Sequence, residues 1–173
     1  KNGDILLDKK STKNFVNSWR SLIGYIPQKI YILDDTVKNN ICLNEKYKNF
    51  KDKYFVEILK KVGLLNWYKK LPHGLNTKIS ERGSNLSGGE IQRIGIARAL
   101  IHNPEIMVLD EATSSLDSFT EKKIIRNIFK LKNKTIISVS HRLETLKGFD
   151  KIFLIKDGKL ITSKKSIENF KNI

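Results

Sequence analysis

The stretch LSGGEIQRIGIARALIHNPEIMVLDEATSSLD, from Leu86 to Asp117, decides how this chain reads. Ser87, Gly88 and Gly89 precede a run of helix-forming residues, Glu90 to Ile101, and so form its first turn. The backbone N–H groups of such a turn lack partners within the helix and attract anions, phosphate above all. Glycine, having no Cβ, lets a ligand or a partner surface approach closely, and the Ser87 hydroxyl can cap the helix. An ordinary capped helix carries the same short signature. Further on, Pro104 opens the apolar run Ile106-Met107-Val108-Leu109, too short for a typical helix and suited to a buried parallel strand. Asp110 and Glu111 then stand at its carboxyl end, where open α/β sheets bind ligands. Two adjacent carboxylates there can divide labour, Asp110 holding Mg²⁺ and Glu111 orienting and deprotonating a water. The competing reading is an Asp-Glu pair that only caps the next helix.

A second β-branched run, Thr135-Ile136-Ile137-Ser138-Val139-Ser140, leads to His141. The histidine therefore also falls at the carboxyl end of a strand, where a neutral imidazole can donate to a phosphate oxygen. Alone it would read as a polar loop residue.

Taken in order, these segments resemble the nucleotide-binding domain of ATP-binding cassette (ABC) proteins, and the resemblance covers almost the whole chain. Tyr25-Ile26-Pro27-Gln28 resembles the family's Q-loop, which implies that Gln28 senses Mg²⁺ and the attacking water and relays this to a transport domain. Leu86 to Glu90 resembles the signature motif, implying that Ser87, Gly88 and Gly89 close on the γ-phosphate of ATP held by an opposite subunit. Ile106 to Asp110 looks like the Walker B strand and Glu111 like the catalytic carboxylate. Ser115-Leu116-Asp117 resembles the D-loop, placing Asp117 at a dimer interface beside the cofactor. His141 looks like the switch histidine. The implied catalytic set is Glu111, His141 and Gln28, with Asp110 and Gln28 at the metal, and ATP and Mg²⁺ as cofactors.

The fold implied is α/β, a P-loop NTPase-like ATPase domain with an inserted α-helical subdomain. Residues 1–35 read as partial ATPase core with the Q-loop, 36–103 as the helical signature subdomain, and 104–173 as ATPase core with Walker B, D-loop and switch histidine. Within these, helices are expected at Phe15 to Arg20, Thr36 to Cys42, Tyr54 to Val62 with Gly63 as stop, and Leu65 to Leu71 before Pro72. A strand is expected at Ile23 to Ile26, and Lys151 to Lys156 with Lys159 to Thr162 reads as a hairpin around Asp157-Gly158. No G-x-x-x-x-G-K-[ST] phosphate loop occurs, and Lys1 to Asp8 resembles the strand that follows that loop in the family, so the chain reads as amino-terminally truncated. By itself it is expected to bind ATP weakly and to expose apolar sheet surface.

Composition fits a piece of a cytoplasmic domain: 173 residues with 39% hydrophobic content suffice for one core. No apolar stretch approaches a membrane span and no signal peptide is present. The single cysteine, Cys42, rules out an internal disulfide. The net charge of +15 comes from lysines scattered through helices and loops, without interleaved aromatics, which favours a solvated surface over a nucleic-acid face.

Glu81-Arg82-Gly83 and Ile32 to Ile41 resemble exporter-type domains, among them lipid-linked oligosaccharide and polysaccharide flippases and multidrug or peptide exporters. The expectation is an ATP-hydrolysing subunit or domain of an ABC exporter at the cytoplasmic face of the cell membrane. Its partners would be a second nucleotide-binding domain and a transmembrane domain, fused or separate, and no nucleic acid. Two other readings compete: a catalytically incompetent fragment, and a soluble ABC ATPase acting on ribosome or DNA. Glu90 and the Ser163-Lys164-Lys165-Ser166 end depart mildly from the family pattern.

Overall fold

Three parallel strands carry everything that follows. In the computed structural model, which describes residues 3–43, 49–80 and 83–164, β3 (Ile23–Ile26), β6 (Ile106–Asp110) and β7 (Thr135–Val139) form one sheet in the order β3-β6-β7. The register pairs Ile26 with Leu109, and Leu109 and Asp110 with Ser138 and Val139, so the three carboxyl ends lie level. Period-two alternation sorts the faces. Ile26, Met107 and Leu109 are buried against the helices, while Tyr25, Ile137 and Val139 on the other face are 54%, 52% and 51% exposed. This second face meets Ile5, Leu6 and Trp19 in an open apolar groove, as expected of the isolated chain.

The helix after the signature, α5 (Gly88–Ile101), packs against the sheet so closely that Gly24 has no room for a side chain: a Cβ there would stand 2.6 Å from Pro104 and 3.3 Å from Ala99. The helix is buried nearly all round, at Ile94, Ile96, Ala97, Leu100 and Ile101 among others, which is what an apolar helix without a polar face requires. Arg98, half-buried on this helix, donates to the backbone carbonyls of Tyr31 and Asn40 and to Asn40 Oδ1, and burial pushes its guanidinium down to about 10.

Around this helix lie α1 (Val16–Ser21), α2 (Val37–Ile41), α3 (Asp52–Lys61), α4 (Leu65–Tyr68) and α6 (Ser118–Phe129). Thr36 caps α2 by accepting from Asn39 N. Gly63, at φ +73°, ends α3, with Leu64 N donating back to Leu59 O as in a Schellman turn. The fourth helix stops at Tyr68, three residues before the expected Leu71, because its last N–H groups turn to i−3 carbonyls over Lys70–Leu71.

One small pairing interrupts the region expected to be helical: β4 (Asp35–Thr36) pairs antiparallel with β5 (Lys78–Ile79). Two further hairpins complete the chain, β1 (Leu6–Leu7) with β2 (Lys10–Ser11), and β8 (Ile152–Lys156) with β9 (Lys159–Lys164) around the expected Asp157-Gly158 turn. One buried cluster runs from Ile26 and Met107 in the sheet through Ile94 to Phe55 and Leu59, and on to Ile124 and Ile128.

Candidate functional site

Level strand ends bring Gln28, Glu111 and His141 together. Gln28 Nε2 donates to Glu111 Oε2 at 2.7 Å, and His141 Nε2 lies 2.7 Å from Glu111 Oε1, so each carboxylate oxygen has one partner. Glu111 is largely enclosed, with 20% of its side chain exposed, whereas the His141 ring is 86% exposed. A polar carboxylate is thus held between two side chains that come from separate strands.

Backbone geometry aims it. Glu111 adopts φ +48°, a left-handed conformation uncommon for a residue with a Cβ and found where function demands it. The conformation is fixed by its own N–H, which donates to Val139 O at 3.1 Å, and by Ser114 N, which donates to Glu111 O at 3.0 Å. The neighbouring Asp110 points elsewhere: its Oδ2 accepts from the Tyr25 hydroxyl at 2.9 Å, and this bond to a carboxylate raises the Tyr25 phenol above its ordinary value.

Ser87 caps α5 in a closed capping box. Its Oγ accepts from Glu90 N at 3.3 Å while Glu90 Oε2 accepts from both Ser87 N and Ser87 Oγ at 2.8 Å. Glu90 therefore completes the helix start. Gly88 and Gly89 face the 115–116 segment, where added Cβ atoms would come within 3.7 Å of Ser115 and 3.3 Å of Leu116. The contacts of Ser87, Gly88 and Gly89 run to Glu90 and to that segment, and those of Gln28 and His141 run to Glu111. Asp117 caps α6, accepting from Phe119 N and Thr120 N, and a hydrogen bond from the Thr120 side chain, helped by these backbone bonds, holds its carboxyl below the ordinary range. Glu81, Arg82, Lys165 and Ser166 lie outside the described residues.

Among the described residues no group of three or more His, Cys, Asp or Glu could hold a metal ion unaided.

Several polar residues around the site escaped the reading of the sequence. Gln92, buried in α5, donates to Ser114 Oγ at 3.1 Å and accepts from Ser115 N at 2.9 Å. Glu121, buried at the start of α6, accepts from Thr113, Thr145 and Arg142. The only local hint of these roles is that Arg142 follows the histidine and Gln92 follows the signature.

The ABC transporter family matches this chain over residues 1–114. A Rickettsia typhi protein named as an export ATP-binding/permease protein is 40% identical over 99% of the chain, which spans 30% of that protein. The ATP-dependent lipid A-core flippase of Wigglesworthia glossinidia brevipalpis is 41% identical over 92% of the chain, which corresponds to 28% of the flippase. The structure of a bacterial Atm1-family ABC exporter with ATP bound superposes with a TM-score of 0.90 at 32% identity, covering 99% of this chain and 30% of that one. The chain thus spans under a third of the length of these relatives. An α/β sheet with three level strand ends, a glycine-led helix packed on it, and these matches together establish that the chain belongs to the ABC transporter family.

Proposed function

We propose that this chain is the ATP-hydrolysing part of an ABC exporter, which couples closure of a head-to-tail dimer on ATP, and its hydrolysis, to export or lipid flipping. The observation that carries this reading is the Glu111 carboxylate held between Gln28 Nε2 and His141 Nε2. A carboxylate so gripped is pre-oriented to accept a proton from a water, and the two nitrogens keep it from rotating away. Asp110, with Gln28, would hold Mg²⁺, which would supply charge neutralisation on the phosphates of ATP. His141, exposed on the open side of Glu111, would donate to the γ-phosphate once that group replaces the carboxylate as acceptor of its N–H.

Gly88 and Gly89 stand in the first turn of a helix that Ser87 caps, away from the Glu111 partners, where backbone N–H groups and the Ser87 hydroxyl suit binding the γ-phosphate of ATP held by a second nucleotide-binding domain. Asp117 stands at that same interface. Residues 36–103 would serve as the signature subdomain between the ATPase-core parts 1–35 and 104–173. No helix among the described residues is long and apolar enough to cross a membrane. A transmembrane domain, fused or separate, would hold the chain at the cytoplasmic membrane face, with Glu81 touching its coupling helices.

The test is reconstitution of the full-length protein in vesicles, with transport and ATPase rates measured side by side. Glu111→Gln should stop both while ATP still binds, and Glu81→Ala should lower transport per ATP with ATP affinity near normal. Wild-type turnover in Glu111→Gln would overturn the assignment of Glu111. Unchanged transport per ATP in Glu81→Ala would overturn the coupling role given to Glu81, and ATP hydrolysis with no transport by the unmodified protein would favour a soluble ATPase acting on ribosome or DNA.

A further inference from the structure

The contact between Glu111 and His141 is held from behind by a second layer of polar groups. His141 sits on a turn whose flanks are tied to each other, Arg142 N donating to Ser140 Oγ at 3.0 Å and Ser140 Oγ donating to Arg142 O at 3.3 Å. From this turn the Arg142 guanidinium reaches across to the segment that follows Glu111. Its Nη2 donates to Ser114 O at 3.1 Å and its Nη1 to Leu116 O at 3.0 Å and to Glu121 Oε2 at 3.0 Å. The other oxygen of Glu121 accepts from Thr113 Oγ1 at 2.6 Å and from Thr145 Oγ1 at 2.8 Å. Only 6% of the Glu121 side chain is exposed, so it is a fixed buried counterion rather than a mobile surface charge.

These bonds close a ring. Ser114 N holds Glu111 O, Ser114 O is held by Arg142, Arg142 adjoins His141, and His141 meets the Glu111 side chain. The width of the ring sets how far the imidazole stands from the carboxylate. A planar guanidinium can fill three acceptors in fixed directions, whereas an ammonium is a point charge without that fork. Gln92 grips Ser114 and Ser115 from α5, so the helix that begins at Ser87 bears on the same segment.

We propose that Arg142, with Glu121 as its buried counterion, is a positioning residue for His141: it fixes the histidine against Glu111 and makes that contact follow the position of the 114–117 segment. The inference rests on the proposed ATPase reading. It requires that Arg142 act on turnover and not on nucleotide affinity.

The experiment measures kcat, KM for ATP and melting temperature in the full-length protein carrying Arg142→Lys, Arg142→Met or Glu121→Gln, with Glu111→Gln alongside. Below the melting transition, Arg142→Met should lower kcat about ten-fold or more while KM changes less than about three-fold, and Arg142→Lys should recover little of the loss. Should Arg142→Met fold poorly, Arg142→Lys and Glu121→Gln carry the same split between kcat and KM. A rise in KM at unchanged kcat would make Arg142 a nucleotide ligand and overturn the proposal. A lower melting temperature with wild-type kcat would make the network purely structural and overturn it too, as would full recovery of kcat by lysine. An inactive Glu111→Gln beside a fully active Arg142→Met would sink the positioning role alone, whereas wild-type turnover in Glu111→Gln would sink the assignment of Glu111 on which that role rests.

Discussion

His141 Nε2 stands 2.7 Å from Glu111 Oε1, the imidazole from the end of one strand and the carboxylate from the end of its neighbour. The contact needs a proton on Nε2, so the ring serves as donor to a carboxylate that Gln28 already holds by its other oxygen. This bracket explains how a partly enclosed carboxylate keeps one orientation.

Removing one arm of the bracket should free the carboxylate without removing it. Gln28→Ala and His141→Ala are each expected to lower kcat for ATP hydrolysis about ten-fold or more, while Glu111→Gln loses about 10² or more, the scale of a general base. Steady-state kinetics of the three variants in the full-length protein checks the order. A loss in Gln28→Ala equal to that in Glu111→Gln would mean that Gln28 does more than orient.

Ser87→Arg removes the cap of α5 and sets a cation where a phosphate would approach. Loss of the cap should lower stability by about 0.5–2 kcal/mol, leaving the chain folded. Hydrolysis should nevertheless disappear, because closure on the nucleotide is blocked. Thermal melting and ATPase rates on the same preparation separate the two effects.

Gly95 lies beneath Ile30, and a Cβ there would stand 2.4 Å from Ile30 Cδ1 and 2.6 Å from its Cγ1. Gly95→Ala therefore forces Ile30 aside, an overpacking cost of about 1–3 kcal/mol. Ile30 is two residues beyond Gln28, so the variant should also lower kcat even well below its melting temperature. Ile30→Val in the Gly95→Ala background should relieve part of both effects.

Glu121 should leave its mark on acid stability. Burial pushes its carboxyl up, but hydrogen bonds from Thr113, Thr145 and Arg142 outweigh this and hold it below its ordinary value of 4.5. A carboxyl depressed in the folded state adds stability that is fully present above its unfolded value and fades as pH falls through the folded one. Glu121→Gln, which leaves these donors poorly matched, should cost about 1–3 kcal/mol at neutral pH, and the difference from wild type should shrink below about pH 4.5. Denaturant unfolding of both proteins across pH 3 to 7 gives the comparison, and a difference that stayed constant with pH would contradict the role given to the carboxylate.

Much of the site is written in short-range pattern. The cap at Ser87, the stop at Gly63, the strand Ile106–Asp110 and the strand Thr135–Val139 follow from residue types within a few positions of one another, and so do the strand-end stations of Asp110 and His141. Local sterics, capping and alternation suffice to place them. What the sequence alone could not decide is which side chains meet. Gln28 and Glu111 lie 83 positions apart, and only the parallel register of β3 on β6 sets them 2.7 Å from each other. The pairing of Asp35–Thr36 with Lys78–Ile79 involves two residues on each side, too few to show a period, and exists because α2 and the 3₁₀ turn at Gly74–Asn76 bring the segments together. Glu121 reads in sequence as one more charge on a solvated helix, and became a buried counterion only when the packing of α6 turned it toward Thr113, Thr145 and Arg142. Likewise the left-handed backbone of Glu111 is held by hydrogen bonds to Val139 and Ser114 that no local preference supplies. Short-range chemistry determined the elements and the ends at which reactive groups stand, whereas the contacts among those groups depend on strands and helices distant in sequence, whose approach is settled by burial of the shared core.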